Sequence, residues 1–217
     1  MKMMKRKVAL IRRVVLAMLP VLFFCRESSA YSDHFVDIEL YQSGIILDIR
    51  YATPNNITGQ TVYSNARCLL RNDVAMRLLR VQEGLCKKGY RLIVFDCYRP
   101  LSVQKKLWEI LPDERYVANP ARGGSTYNRG AAVDVALADS AGKPLSMPTA
   151  YYDFSGKADG SYKVASVEAL QNIALLESAM KAEGFLSFKS EWWHYEVADW
   201  ARHHVSDFPV QKQGCED

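Results

Sequence analysis

Glu191-Trp192-Trp193-His194 sets a carboxylate and an imidazole three residues apart, between two indoles. Residues at i and i+3 share a face on a helix but not on a regular strand. The flanking stretch from Phe185 to Val197 is aromatic and β-leaning, so Glu191 is expected at a turn or strand end. Upstream, Ser125-Thr126-Tyr127-Asn128-Arg129-Gly130-Ala131-Ala132-Val133-Asp134 offers a second carboxylate among small and apolar residues. The strand expected over Ala131 to Ala138 would point Asp134 away from Val133 and Val135, alongside Ala132 and Ala136. An acid in such a strand is costly unless it is salt-bridged or bound to a metal.

The rest of the chain supplies helices and short strands in irregular order. Val36 to Arg50 alternates and reads as one or two strands, and Tyr51 to Gly59 as a loop. Asn72 or Asp73 is expected to cap a helix to about Lys88, with Gly89 as its stop and Val74, Leu78, Val81 and Leu85 on one face. Arg91 to Cys97 reads as a buried strand. Ser102 is expected to cap a second helix, which ends before Pro112. Ser166 caps a third, with Glu168 in its first turn and Gly184 beyond its end. Asp139 to Val164 is polar and aromatic, like a functional surface loop. This order does not alternate as a doubly wound sheet does, so the expected class is α+β.

The chain has 217 residues and a net charge of +4, but seven of its 28 basic residues lie in the first 30, against the single acid Glu27. Residues 31–217 are therefore slightly acidic, which removes any charge argument for nucleic-acid binding. A basic start, an apolar run from Val14 to Cys25 and small residues at Ser28-Ser29-Ala30 predict a signal peptide over 1–30 and one domain over 31–217. The apolar run is short for a bilayer span. Export permits disulfides among Cys68, Cys86, Cys97 and Cys215. Four cysteines allow three complete pairings, and free buried thiols are the alternative.

Beyond residue 30 the histidines are His34, His194, His203 and His204. A catalytic zinc takes three protein ligands and leaves a position open for water. His194 and Asp134 are candidate ligands, and Glu191 is the candidate base. In Asp96-Cys97-Tyr98-Arg99-Pro100, Pro100 extends the chain at Arg99. Arg99 either stabilises an oxyanion or a substrate carboxylate, or forms a structural pair with an acid. Among the motifs sought, no serine nucleophile elbow, phosphate loop or dinucleotide fingerprint occurs.

Four segments in order resemble the D-alanyl-D-alanine dipeptidases, a zinc peptidase family related to D,D-carboxypeptidases and hedgehog-type domains. They are Asp48 to Gly59, Asp96 to Pro100, Ser125 to Asp134 and Glu191 to His194. The resemblance implies an α+β fold with a small antiparallel sheet and flanking helices, one Zn2+ per chain, and hydrolysis of D-Ala-D-Ala in cell-wall peptide metabolism. With the signal segment over 1–30, the expected location is outside the cytoplasm, in the bacterial periplasm. Carried over by position, Asp134 and His194 are ligands, Glu191 is the base and proton donor, Arg99 stabilises the transition state, and Ser125 contacts substrate. The family's remaining histidine ligand falls on Tyr127, a phenol that must lose a proton of reference pKa about 10 to ligate. Tyr152 stands where the family carries an ammonium-binding aspartate, with Asp153 adjacent, and Asp159 stands where a histidine is frequent. These departures imply either weakened activity or a binding protein for D-amino-acid cell-wall peptides that has lost its metal.

Overall fold

The structure, a computed structural model, describes residues 34–153, 165–188 and 190–210. The expected signal segment, Asp159, Cys215 and the tail from Gln211 lie outside these residues. The described elements run β1 (Phe35–Asp37), β2 (Ile46–Leu47), β3 (Leu69–Arg71), α1 (Asn72–Cys86), β4 (Tyr90–Asp96), α2 (Leu101–Ile110), β5 (Ala132–Asp139), α3 (Val167–Ala182), β6 (Phe185–Phe188) and β7 (Glu191–Val197). β1 and β3 form an antiparallel pair, and the main sheet has the order β2-β4-β5-β7-β6. The α+β class is the one expected. The sheet is antiparallel except at its edge, where β2 lies parallel to β4 because the chain passes through β3 and α1 before returning.

The helices form where apolar spacing places one face on the sheet. Val74, Leu78, Val81 and Leu85 of α1 are all buried, as are Ala169, Ile173, Leu176 and Met180 of α3. Each such Val, Leu or Ile contributes about 1.5–3 kcal/mol on leaving water. Ser166 caps α3 as expected, its hydroxyl accepting from the Ala169 N–H at 3.1 Å. The other two caps differ from expectation. Helix α1 follows Arg71, so Asn72 and Asp73 lie inside its first turn. Helix α2 starts at Leu101 after Pro100, and the Ser102 N–H donates to the carboxylate of Asp207, far along the chain, at 2.7 Å. A distant acid has taken the part that local pattern assigned to Ser102.

Two bulges bring the chemistry together. Between β4 and β5 the register passes from Val94↔Val135 to Asp96↔Asp134, leaving Phe95 as the extra residue. Between β6 and β7 it passes from Ser187↔Tyr195 to Phe188↔Glu191, so Trp192 to His194 stand opposite a single step of β6. Bulges bend a strand and re-aim its side chains. The second explains how Glu191 and His194 serve one site from one strand.

A disulfide joins Cys68 to Cys97, with a Cα–Cα separation of 5.4 Å. It ties the approach to β3 to the residue between Asp96 and Tyr98, while Cys86 is an exposed free thiol. For a separation of 29 residues, loop-closure entropy gives about 3–4 kcal/mol of stabilisation. Replacing both cysteines by alanine should lower the unfolding free energy in denaturant titration by about that amount. The parent protein under strong reductant should fall to the same value. An unchanged denaturation midpoint would show that the bridge contributes nothing.

Candidate active site

The site sits at one end of the central strands, where three side chains meet by register. Asp134 of β5 lies opposite His194 of β7 and, across the first bulge, beside Asp96 of β4. Asp134, Asp96 and His194 are all buried. Tyr127 arrives on a 3-10 turn, Tyr127–Arg129, that ends at Gly130 with φ 67°. A Cβ at Gly130 would lie 2.5 Å from the Phe35 ring and 3.2 Å from the Arg71 nitrogen, so only glycine allows this turn to run into β5. The buried Asn128 fixes the turn to its surroundings. Its amide donates to the Arg99 carbonyl at 2.8 Å, and its oxygen accepts from the Ser125 N–H at 2.7 Å.

The Tyr127 hydroxyl lies 2.5 Å from Asp134 Oδ1, to which it donates, and 2.7 Å from His194 Nδ1. Asp134 Oδ1 and His194 Nδ1 are 3.3 Å apart. The other Asp134 oxygen, Oδ2, accepts from the Tyr151 hydroxyl at 2.7 Å. On the far side of the imidazole, Nε2 faces Glu196 Oε2 at 3.6 Å. Burial alone would lower the His194 pKa, but its bonds to Asp134 and Glu196 and the nearby acids lift it to about 10. Burial pushes the Tyr127 phenol well above its ordinary value, and the Asp134 charge pushes it further. Burial, then Asp134, lifts Glu191 to about 7, against the lowering effect of His194.

Arg99 is held from three sides. Its Nε donates to the Tyr63 hydroxyl at 3.1 Å, Nη1 to Gln104 Oε1 at 2.9 Å and Nη2 to Asp96 Oδ2 at 2.6 Å. Tyr63 in turn donates to Asp96 Oδ1 at 2.7 Å. The structural alternative for this arginine is therefore realised, since it is paired with a buried acid, and it also lines the cleft. A guanidinium has five N–H donors, and these three bonds leave two for a substrate oxygen.

The cleft has a volume of about 340 Å3, and its walls include Arg99, Ser125, Tyr127, Asp134, Tyr152, Glu191 and His194. Seven of the eight residues singled out from sequence thus converge on one cavity. Asp153 follows Tyr152 outside the cleft lining, its N–H bonded to the Ala150 carbonyl at 3.2 Å. Tyr152 adopts φ 63°, which turns the chain so that the neighbouring Tyr151 and Tyr152 rings pack 3.9 Å apart. Sequence reasoning missed Tyr63, Gln104, Asn128 and Tyr151. Nothing periodic marks them; the only local hint is the run of two tyrosines at 151–152.

Among the described residues no three His, Cys, Asp or Glu side chains group as a metal site. Counting Tyr127, three donors converge. Tetrahedral zinc with bonds near 2.0 Å separates its ligand atoms by about 3.3 Å, which is the distance between Asp134 Oδ1 and His194 Nδ1. The phenol oxygen stands closer to both, at hydrogen-bond lengths. The donor set fits the ion in number, with the phenol hydroxyl filling the gap between the other two donors.

A carboxyl raised to about 7, a clamped arginine and a Tyr–Asp–His cluster thus meet in one cleft of an α+β scaffold, an arrangement compatible with a metal-dependent hydrolase. The comparison with known proteins gives that class a family. Residues 31–211 match Peptidase_M15, D-ala-D-ala dipeptidase, and the chain belongs to this metallopeptidase family. It is 33% identical to the D-alanyl-D-alanine dipeptidase of Escherichia coli strain K12, over 75% of this chain and 83% of that one. It is 29% identical to the D-alanyl-D-alanine dipeptidase of Enterococcus faecalis, over 76% and 91%. A solved structure of the vancomycin resistance D,D-pentapeptidase VanY with Zn(II) matches 64% of this chain and 77% of its own. The identity there is 17% and the TM-score 0.40. A second, VanYB in complex with D-alanine-D-alanine, matches 62% and 74% at 16% identity and the same TM-score.

Proposed function

We propose that this chain is an exported zinc dipeptidase that hydrolyses D-Ala-D-Ala to two D-alanines in cell-wall peptide metabolism, with one zinc per chain. The observation that carries the reading is the Asp134–His194 pair, spaced at 3.3 Å for a metal edge, beside Glu191 at about 7. Tyr127, Asp134 and His194 would hold the ion, which when bound supplies Lewis acidity to the scissile carbonyl and acidifies the attacking water. Glu191 Oε takes a proton from that water and returns it to the leaving amine nitrogen, so one peptide and one water become two amino acids. Arg99 holds the carbonyl oxygen as negative charge develops on it. Ser125 and Tyr152 shape the walls against which the dipeptide rests. The basic, then apolar start of the chain and the Cys68–Cys97 bridge support export to an oxidising compartment such as the periplasm.

Incubating the protein with D-Ala-D-Ala across zinc concentrations and pH, and assaying D-alanine, tests this directly; no release under any condition sinks it. Arg99→Lys should cut kcat about 10²-fold with a smaller change in KM, since an ammonium cannot keep the fork to Tyr63, Gln104 and Asp96. Steady-state kinetics on the two proteins checks this. A second reading, a metal-free binding protein for D-amino-acid peptides, is favoured by the Tyr127 hydroxyl already bridging Asp134 and His194. Elemental analysis of protein purified without chelator separates the two, since a full equivalent of zinc excludes the second.

A further inference from the structure

We propose that Tyr151 is a positioning residue for Asp134, fixing which of its carboxylate oxygens is offered to the metal. Asp134 has two oxygens with separate environments. Oδ1 faces Tyr127 and His194, whereas Oδ2 accepts only the Tyr151 hydroxyl among the hydrogen bonds described, at 2.7 Å. A carboxylate turns readily about its terminal bond. A donor anchored on Oδ2 stops that rotation and leaves Oδ1 as the single ligand atom. Groups of this kind, one step behind a metal ligand, set ligand orientation and affinity.

The anchor is itself rigid. The Tyr151 ring stacks on Phe95, the bulge residue, with centroids 4.4 Å apart, and meets the Trp193 ring edge-on at 5.3 Å. The Arg50 guanidinium lies over the same ring at 5.9 Å. The loop before it is pinned where the Trp192 indole donates to the Thr149 hydroxyl at 2.8 Å. Tyr151 stands behind Asp134 and is not among the residues that line the cleft. It acts through Asp134 alone, from a loop that neither conserves helical period nor belongs to any of the four motifs that marked the site.

This inference rests on the zinc dipeptidase reading, and its test separates the two. Tyr151→Phe keeps the ring and removes the hydroxyl. Zinc dissociation constants are measured by chelator competition at pH 7, in the natural background and with Tyr127→His. The control is Tyr98→Phe, which loses a hydroxyl bonded to the Phe208 carbonyl at 3.0 Å, away from the ligands. Tyr151→Phe should weaken zinc binding about 10-fold or more. Tyr98→Phe should leave zinc affinity unchanged at a comparable shift in the metal-free melting temperature. If the natural background holds zinc too weakly to measure, the Tyr127→His background gives the comparison. Equal dissociation constants with and without the Tyr151 hydroxyl overturn the inference and leave the dipeptidase reading intact. Absence of zinc binding in every protein overturns both.

Discussion

Glu191→Gln should cut hydrolysis about 10³-fold while making the metal-free protein more stable at pH 8. The two effects have one origin. Glu191 is largely buried, and burial, with Asp134 nearby, holds its pKa at about 7 rather than 4.5. A carboxyl whose folded pKa is raised is penalised in its charged form. Its neutral form carries no penalty below about pH 4.5, and the penalty grows as pH rises through 7. The gap between 4.5 and about 7 corresponds to about 3 kcal/mol once both states are ionised. Glutamine has the same shape and never ionises. In the presence of chelator, the variant should therefore match the parent near pH 4 and exceed its unfolding free energy by about 3 kcal/mol at pH 8. Comparing the two proteins cancels most of the contribution of other titrating groups, His194 included. Hydrolysis should fall about 10³-fold, because a general base of this kind contributes about 10²–10⁴. Equal stability at pH 8 would show that the buried carboxylate is not held at a cost. Zinc opposes the effect, since its charge favours the ionised form, so metal-loaded protein should show a smaller difference.

The residues around Glu191 show which parts of a site can be read before the fold is known. Glu191 and His194 were legible because they are neighbours in sequence. Asp134 was legible because an acid in an apolar strand needs an explanation. Arg99 was legible because Pro100 fixes its backbone. The first helix followed from spacing, with Val74, Leu78, Val81 and Leu85 buried as expected, and the third from its Ser166 cap. The interlock was not legible. Tyr63 reaches Asp96 across 33 residues, and Tyr151 reaches Asp134 through a loop without period. The bulges at Phe95 and at Trp192 to His194 leave no compositional mark, yet they decide which side chains share a face. Ser102 has the right residue type for a cap, but Asp207 holds that position through a bond of 105 residues' separation. Local pattern names the chemical groups, while long-range hydrogen bonds and register shifts decide how they are aimed.

Tyr127→His should raise zinc affinity by about 10²–10³ at pH 7 and increase the rate of D-alanine release with it. In the present chain the ion must displace the phenol proton donated to Asp134 Oδ1, from a hydroxyl that also contacts His194 Nδ1. Ionising a phenol of reference pKa about 10 costs about 4 kcal/mol at pH 7, and burial with the Asp134 charge raises the Tyr127 pKa further. The negative charge of a phenolate returns part of that by binding zinc more strongly than a neutral ring does, hence the lower bound. A neutral imidazole ligates without ionising further, and it ends short of where the phenol oxygen lies, vacating the point toward which Asp134 and His194 face. Besides the two hydroxyl hydrogen bonds that the metal itself would displace, the substitution loses the Arg99 guanidinium over the Tyr127 ring at 4.7 Å. That ring contact contributes about 0.5–2 kcal/mol, less than the proton costs. The proton also supplies a second readout. Zinc uptake by the natural chain should release one more proton than uptake by the variant, and its affinity should climb more steeply with pH. Titration calorimetry in buffers of different ionisation enthalpy measures that difference directly. Equal affinity and equal proton release in the two proteins would place the limitation elsewhere in the cleft, with Tyr152 and its left-handed turn the next residue to change.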